Sequence, residues 1–334
     1  MSMHNRLVCV TINKKCILLT LLTVTLLMVK IWIEVSGKPE TIIHKSKYTL
    51  HYEYSLCSSK KKPIEGTSHC NVQCPQKPIV TVKQLGRLGN QMWEYISVWA
   101  VAKKTGHAPY VPSCLKQKLE KVFQNLTVPA LSCIVNCPVE KHLVEVKGDN
   151  LKLFNGNILL QNYVQLPEYI VPLLSEVRQI FQFKKHIEEE SQRFLYKASK
   201  GEKNVTYVGV HVRRTDYKAY LKRKYNASLV EPDFFPRQMN YFRNNYKAVV
   251  FVVVSDEPRW CERELVGDNV VVSRANSPEQ DLAIMAACNH SIIDYGTYGV
   301  WGAILAGGDT FVYNLTLSGA VKMASLLPNW HVVT

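Results

Sequence analysis

From residue 79 onward, short apolar runs alternate with segments of helical periodicity. The first run, 79–84, is rich in β-branched residues and is closed by Gly86, which predicts a strand followed by a turn. Residues 90–104 repeat apolar side chains at helical spacing and end near two lysines and a glycine, which predicts a helix. Five further runs are apolar almost throughout: 205–212, 248–255, 269–273, 291–294 and 310–313.

These runs indicate the fold class. A strand that is apolar throughout is buried on both faces, and strands that alternate with helices form a parallel sheet with helices on both sides. We therefore predict an α/β fold with two Rossmann-like halves, residues 79–200 and 201–334, which meet at a cleft. No internal repeat or low-complexity tract in the sequence competes with this prediction.

The N-terminal region carries a different apolar pattern. Residues 16–29 contain no charge, and the run reaches the ~20 residues of a membrane span if the side chain of Lys30 extends toward the interface. Basic residues but no acidic ones precede the run, so the positive-inside rule places the N-terminus in the cytosol. We expect a cytosolic tail at 1–15 and a signal-anchor transmembrane helix at 16–35. The alternative is a signal peptide cleaved near Ser36, which also delivers the remainder to the secretory lumen.

The next segment, 36–78, has the composition of a spacer. It is rich in Lys, Ser, Pro and Gly and includes the charge run Lys60–Lys62 followed by proline. Such segments stay solvated and extended. We predict a lumenal stem that holds a folded domain, 79–334, away from the membrane.

Cysteines and sequons agree with a lumenal location. Eight cysteines follow the apolar segment, and an even number of thiols in an oxidising compartment predicts disulfides, although the sequence does not fix their pairing. The Cys70–Cys74 and Cys133–Cys137 spacings also fit a metal site, but only His69 lies beside them, so we favour disulfides over zinc. The chain has five Asn-x-Ser/Thr sequons, with glycans expected at Asn125, Asn204, Asn226 and Asn314, and with Asn289 expected to be buried and unused.

The charge balance suggests a partner that carries phosphate. The 41 Lys and Arg against 27 Asp and Glu leave a net charge of +14. Nucleic acid is excluded because the body is expected in the lumen and because aromatic residues do not interleave with the basic ones. An apolar content of 47% excludes a disordered polymer.

Polar motifs follow the predicted strands, at the sheet edge where α/β proteins bind ligands. GRLGNQ (86–91) follows the first strand and combines two glycines with the start of a helix, an arrangement that suits an anion. Three later strands end in HVRRTDY (211–217), SDE (255–257) and DYGTYG (294–299). Because the carboxyl ends of parallel strands lie at one edge, the motifs together predict a pocket for a phosphorylated nucleotide.

Each motif also has a purely structural interpretation. The glycines can serve ordinary turns, the adjacent arginines can form an ion pair with Asp216, and Asp256 can cap a helix. His211 can be a core histidine. Only the convergence of all four motifs at strand ends favours the functional interpretation.

The motifs carry a family resemblance. Four segments resemble the successive motifs of the galactoside α-1,2-fucosyltransferases, the inverting GDP-fucose enzymes that are type II Golgi membrane proteins: GRLGNQMWEY (86–95), HVRRTDY (211–217), SDEPRWC (255–261) and DLAIMAACNHSIIDYGTYGVWGAILAGGDT (281–310). The last segment is highly specific, whereas HVRR-x-D is shared with α-1,6- and protein O-fucosyltransferases and indicates GDP-fucose alone. With the weaker segment 158–183, the resemblance covers roughly 79–330.

The resemblance implies a GT-B-type fold and a reaction. The donor would be GDP-β-L-fucose, and fucose would pass with inversion to the 2-hydroxyl of a terminal β-galactoside on a glycan. No metal or other cofactor is implied. The resemblance also implies that the first half, 79–200, faces the acceptor and that the second half, 201–334, binds GDP-fucose.

The resemblance also implies roles for single residues. Arg213 would contact the diphosphate, a role that suits a planar guanidinium in an enzyme working without Mg²⁺. Arg214 would be structural and pair with Asp216. Further donor contacts are expected from Asn90, His211, Asp256, Asp281 near the guanine, and Gly296 and Thr297 at the phosphates.

The catalytic base and the acceptor stay open. Asp216, His211 and Glu94 are the candidates for removing the acceptor proton, and a loose, oxocarbenium-like transition state needs no dedicated base. Thr215 replaces a glycine and Asp294 a hydroxyl residue of the vertebrate α-1,2 enzymes. The alternatives are fucosyl transfer to another acceptor or linkage, and an inactive lumenal relative that only binds carbohydrate. A homodimer is one of the oligomeric states left open.

Overall fold

The computed structural model describes residues 44–49, 55–58, 73–134, 136–137, 142–146, 151, 154–274, 277–316 and 318–334. The predicted cytosolic tail, 1–15, and signal anchor, 16–35, lie outside these ranges. Within them, no helix combines the length and apolar character that a membrane span requires.

The first half is built on a five-stranded sheet. Its strands in chain order are β1 (His44–Thr49), β2 (Ile79–Val82), β3 (Ala108–Pro109), β4 (His142–Val146) and β5 (Ile158–Leu160). They lie side by side in the order β1-β4-β5-β2-β3. Only the edge strand β1 runs antiparallel to its neighbour, β4.

The described residues of the first half form five α-helices: α1 (Leu88–Thr105), α2 (Ser113–Leu119), α3 (Pro167–Ile170), α4 (Leu174–Ile180) and α5 (Lys185–Ala198). The predicted strand and helix at 79–104 are confirmed as β2 and α1. Helix α1 ends because Gly106 adopts the left-handed conformation and its N–H caps Ala102 O. Helix α5 precedes the predicted boundary at residue 200, yet it packs on a helix of the second half, α9 (Pro278–Ala286).

The second half is a six-stranded sheet, entirely parallel. Its strands are β6 (Thr206–Val212), β7 (Val249–Ser255), β8 (Val270–Val272), β9 (His290–Ile293), β10 (Thr310–Tyr313) and β11 (Trp330–Val333). The order β11-β10-β9-β6-β7-β8 is that of the Rossmann fold. The other helices are α6 (Tyr217–Tyr225), α7 (Phe234–Asn245), α8 (Pro258–Glu264), α10 (Thr297–Ala306) and α11 (Gly319–Ala324).

The two halves share one apolar core. Helix α1 packs against α10, with the rings of Trp93 and Trp301 5.1 Å apart. The indole N–H of Trp301 donates a hydrogen bond of 3.0 Å to Gly89 O. A side chain at Gly89 would collide with the backbone of α10, since its Cβ would lie 2.7 Å from Tyr298 N. The glycine therefore lets the two helices touch backbone to backbone beside the cleft.

Part of the predicted stem is folded onto the first half. Strand β1 pairs with β4, and Leu56 is fully buried in a cluster with Leu131 and Leu143. Disulfides Cys57–Cys114 and Cys74–Cys137 join the segment to the sheet domain. The interpretation of 36–78 as a solvated spacer is therefore wrong for β1 and for the stretches around Cys57 and Cys74. Backbone pairing and disulfides hold these stretches on the domain, although their polar composition alone does not indicate any fixed structure.

The cysteines follow the prediction only in part. The Cys74–Cys137 disulfide favours cross-linking over zinc for these motifs, and Cys133 is also disulfide-bonded. The described residues contain no group of three or more His, Cys, Asp and Glu side chains that could hold a metal ion. Cys261 and Cys288 are free thiols, each buried within the second half, so the even number of cysteines does not translate into complete pairing.

All the sequon asparagines among the described residues are exposed. Asn125, Asn204, Asn226 and Asn314 lie at the surface, and their glycosylation stays a prediction. Asn289 is exposed as well, so the expectation that it is buried is wrong. It lies at the turn before β9, where its side-chain oxygen accepts a 2.8 Å hydrogen bond from Tyr207 N.

Candidate active site

A large cleft opens at the carboxyl ends of β6 and β9. These neighbouring strands mark the point where the strand order of the second sheet reverses, the position at which α/β sheets bind ligands. The cleft has a volume of about 1360 Å³ and residues of both halves line it. Except for Glu94, the residues predicted to bind the donor or to act in catalysis line this one cleft: Asn90, His211, Arg213, Asp216, Asp256, Asp281, Gly296 and Thr297.

Asp294 joins the two strand ends beneath the cleft. Its side chain is fully buried. One oxygen lies 3.0 Å from His211 Nδ1 and 2.7 Å from the backbone N–H of Tyr295, and the other accepts a 2.6 Å hydrogen bond from Arg213 N. Burial raises the pKa of Asp294, and the hydrogen bonds from His211 and the two amides oppose that rise. The carboxylate thus sets the orientation of the His211 ring and of the Arg213 backbone.

Two carboxylates hold the guanidinium of Arg213. One of its terminal nitrogens lies 2.5 Å from Asp216 Oδ1 and the other 3.1 Å from Asp256 Oδ2. The side chain is mostly buried in the wall of the cleft. A planar cation fixed from two sides is preorganised to receive an anion.

Asp256 also shapes the turn that carries this arginine. It accepts hydrogen bonds from Arg214 N (2.9 Å), from Thr215 N (3.1 Å) and from the Thr215 hydroxyl. Burial raises the pKa of Asp256, but the hydrogen bonds and Arg213 outweigh burial and leave the pKa below its usual value. The structure therefore gives Asp256 the role of positioning residues 213–215.

Arg214 points away from its neighbour. It was predicted to pair with Asp216, but its Nε lies 3.1 Å from Glu257 Oε2 and its guanidinium stacks 3.7 Å from the ring centre of Trp260. The prediction is wrong because Glu257 and Trp260, which follow β7, hold the Arg214 guanidinium. Arg213 takes the place beside Asp216 instead.

Asp216 bridges the two halves at the cleft mouth. Besides Arg213, it binds Arg87 of the glycine turn at 2.8 Å, so each carboxylate oxygen contacts one guanidinium. Both side chains of the Arg87 contact are well exposed, at 72% and 49%. A surface pair of this kind contributes little to stability by itself. Its position indicates that ligand entry and this bridge compete for the same space.

Glu94 is not a candidate base in the structure. It is fully buried under the glycine turn, where Oε1 accepts a 2.8 Å hydrogen bond from Leu85 N. Burial raises its pKa to about 9, so the carboxyl is neutral at pH 7. Glu94 therefore supports the turn from below and does not line the cleft.

The glycine turn and the start of α10 meet across the cleft. The Thr297 hydroxyl donates a 3.0 Å hydrogen bond to Asn90 Oδ1, which links residues predicted from separate motifs. Gly296 has a φ of 90°, and a Cβ there would lie 2.8 Å from the Tyr217 hydroxyl. Tyr217 in turn stacks on Tyr295 at 4.9 Å. Only glycine fits between this aromatic pair and the helix start.

Asp281 lies in the first turn of α9 and lines the cleft. The hydroxyl of Ser273 donates a 2.6 Å hydrogen bond to it. Burial raises its pKa to about 6, with Ser273 and His211 acting in the opposite direction. The carboxylate is thus poised to titrate near neutral pH and to accept hydrogen bonds from a ligand.

Several cleft residues were not predicted. Asp294 could have been suspected as a charge that ends an apolar strand run. Arg87 lies in GRLGNQ and Tyr217 in HVRRTDY, but no role was predicted for either residue. The loop 161–165 gave no chemical signal beyond its amides and one tyrosine.

Comparisons with known proteins place this site in a family. The model of glycosyl transferase family 11 matches residues 40–334. The chain is 32% identical to the Bos taurus galactoside 2-alpha-L-fucosyltransferase SEC1 over 77% of this chain and 74% of that protein. It is also 32% identical to the Bos taurus galactoside alpha-(1,2)-fucosyltransferase 2 over 80% of this chain and 85% of that protein.

Solved structures resemble the chain more distantly. NodZ alpha-1,6-fucosyltransferase soaked with GDP-fucose matches with a TM-score of 0.43 and 12% identity, covering 73% of this chain and 97% of that one. POFUT1 in complex with GDP matches with a TM-score of 0.44 and 13% identity, covering 70% and 95%. The family match and the identity to curated relatives, which extend over most of the chain, are decisive. This protein belongs to glycosyl transferase family 11.

Proposed function

We propose that this protein transfers L-fucose from GDP-β-L-fucose, with inversion, to the 2-hydroxyl of a terminal β-galactoside on a glycan. The product is an α-1,2-fucoside. The names of the relatives at 32% identity support the reaction, and two α/β halves around a cleft suit the GT-B type of glycosyltransferase. The observation that carries the proposal is the guanidinium of Arg213, held by Asp216 and Asp256 at the strand-order switch point.

Arg213 stabilises the departing diphosphate. Negative charge grows on the GDP oxygens as the anomeric bond breaks, and a fixed guanidinium stabilises that charge without having to reorganise. When the donor binds, its diphosphate replaces one or both carboxylate contacts of Arg213, so that the guanidinium is in place before the anomeric bond breaks. Asn90, Thr297 and the amides that open α10 approach the same oxygens from the opposite wall.

The remaining donor contacts come from Asp281 and His211. Asp281 accepts hydrogen bonds from the N–H groups of the guanine, and His211, oriented by Asp294, lies between base and diphosphate. No metal is required, because Arg213 supplies the charge. The acceptor hydroxyl attacks from the side of the first half, and its proton leaves to solvent or to the departing phosphate rather than to Glu94.

The protein acts in the secretory lumen, anchored in the Golgi membrane by residues 16–35. Two disulfides and a set of exposed sequon asparagines support a lumenal domain. Strand β1 pairs with β4, so this part of the predicted stem belongs to the folded domain.

The Arg213→Ala variant tests the proposal. We expect transfer from GDP-fucose to a β-galactoside to fall by at least about 100-fold, because a preorganised donor to the leaving group is lost. Arg237→Ala is the matched control, since Arg237 pairs with Asp233 on the surface of α7 and does not line the cleft. Circular dichroism and melting temperature check that both variants fold. An Arg213→Ala enzyme with wild-type activity would refute the assignment.

A further inference from the structure

The loop after β5 enters the cleft from the first half. Strands β5 and β2 are parallel neighbours, with Leu160 beside Val82, so the loops that follow them leave the sheet at the same edge. The loop after β2 is the glycine turn that holds Asn90. Residues 161–163 and Gln165 therefore lie next to the donor site, and all of them line the cleft.

The far end of this loop reaches the second half. Gln165 Oε1 lies 2.1 Å from the point that a Cβ on Gly319 would occupy, so the amide packs directly on the backbone that opens α11. The loop thus spans the cleft from the glycine turn to the carboxyl end of β10. It forms a wall of the cleft on the first-half side.

Tyr163 stands out on this wall. Its ring is 54% exposed although it lines the cleft. No aromatic, cation–π or hydrogen-bond partner of the ring is found among the described residues. Its φ of 55° places a bulky residue in the left-handed region, which only glycine and a few small polar residues adopt readily. A backbone outlier of this kind at a cleft points to a function for the residue.

The cleft has room for a second ligand beside the donor. Pockets that hold one small ligand usually measure roughly 300–1,000 Å³, and this cleft measures about 1360 Å³. The donor contacts lie on the ends of β6, β7 and β9 and at the starts of α1, α9 and α10. Tyr163 lies outside that set, and Tyr220 of α6 adds a second aromatic side chain to the cleft.

We propose that Tyr163 is the stacking platform of the acceptor subsite, and that it binds the apolar face of the β-galactosyl residue that receives fucose. The inference rests on the proposed function. One face of a β-galactopyranose presents the C–H groups of carbons 3, 4 and 5, which complement the negative face of an aromatic ring. The side-chain amides of Gln161, Asn162 and Gln165 supply donors and acceptors for the hydroxyls around the ring edge. The strained backbone turns the tyrosine ring toward the cleft.

The test separates acceptor binding from donor binding. Tyr163→Ala should raise the KM for a β-galactoside acceptor by about tenfold or more, the loss that 1.4 kcal/mol of binding represents. The KM for GDP-fucose and the calorimetric affinity for GDP should not change. Tyr163→Phe keeps the ring and should stay near wild type.

Two further variants remove the remaining ambiguities. Tyr163→Gly adopts the same backbone conformation without strain, so it should lose acceptor affinity as Tyr163→Ala does if the ring is what matters. Tyr196→Ala removes a tyrosine that is 67% exposed on α5 and outside the cleft, and it should leave both KM values unchanged. Wild-type acceptor KM values in both Tyr163→Ala and Tyr163→Gly would overturn this inference and leave the proposed function intact. A wild-type enzyme that binds GDP but fucosylates no galactoside would overturn the proposed function, and this inference with it.

Discussion

Two buried carboxylates, Asp281 and Asp294, control the charge of the donor site. Asp294 is fully buried and fixes His211 and the Arg213 backbone. Asp281 is nearer the cleft surface and has a pKa of about 6. Because its protonated form cannot accept hydrogen bonds at both oxygens, donor recognition depends on pH in the range where this group titrates.

Asp281 therefore predicts a pH dependence of donor affinity. If the guanine binds only the ionised carboxylate, the KM for GDP-fucose should rise by about tenfold between pH 7 and pH 5. Asp281→Asn should weaken binding at pH 7 and remove this dependence. Initial rates against GDP-fucose concentration at several pH values measure it. A KM that stays constant across the window in the wild type would contradict the role.

Protonation of Asp281 should weaken donor binding but should stabilise the folded protein when no donor is bound. Its folded pKa of about 6 lies above the ordinary value of 3.8, so protonation favours the folded state. The contribution is fully present below the ordinary pKa and is lost as pH rises through about 6. Bound nucleotide would compensate for that loss.

Some residues of the site could be predicted from the sequence, and others could not. His211 and Arg213 lie at the end of β6, and the strand-end rule was sufficient to bring them together, whereas the role of Asp281 was implied only by the family resemblance. The partners of Arg214 and the role of Asp294 depend on contacts between residues about 40 to 80 positions apart. Burial, which makes Glu94 neutral, is equally hidden in the sequence.

Helices α1 and α10 connect the donor site to the core. Both begin at the cleft with a glycine-containing motif, and they touch at Gly89. The indole of Trp301 fixes the contact through its hydrogen bond to Gly89 O. Packing in the core is therefore transmitted directly to the turn that carries Asn90 and to Thr297.

Gly89→Ala should disturb stability and activity together. The added methyl would meet backbone atoms of Thr297 and Tyr298 within 3 Å, so the free energy of unfolding should fall by about 1–3 kcal/mol. Donor KM should rise because the Asn90–Thr297 hydrogen bond is displaced. Gly267→Ala, in an exposed loop where the nearest neighbour is a valine methyl, is the control. A Gly89→Ala variant with the melting temperature and kinetics of the wild type would contradict this prediction, because α1 and α10 would then move apart without loss of stability.

Most of the strands that the sequence predicted are buried, although β8 is only half-buried at the edge of its sheet. The six apolar runs correspond to β2, β6, β7, β8, β9 and β10, because full burial demands apolar side chains on both faces. The edge strands β1 and β11 were missed, and so were β4 and the short, buried central strand β5. HKSKYT in β1 is polar and pairs on one side only, so it lacks the pattern that marks a central strand. Strand β3 has two residues and is too short for any periodicity.

At the scale of the whole molecule, a parallel Rossmann-type sheet and a mixed sheet share a core and enclose a cleft. The sequence predicted two halves because strand and helix patterns repeat on either side of residue 200. It did not predict that α5 crosses to the second half, or that β1 and two disulfides extend the first half into the supposed stem. Pairing of distant polar segments leaves no local pattern in the sequence.

The central claim is that this cleft joins GDP-fucose to the 2-hydroxyl of a galactoside. The most direct measurement incubates the full-length protein with labelled GDP-fucose and an acceptor that ends in β-galactose, and determines the linkage of the product by NMR. The account predicts one product, with fucose α-linked to the galactose 2-position. Fucose at any other position, or GDP binding without transfer to any galactoside, would contradict it.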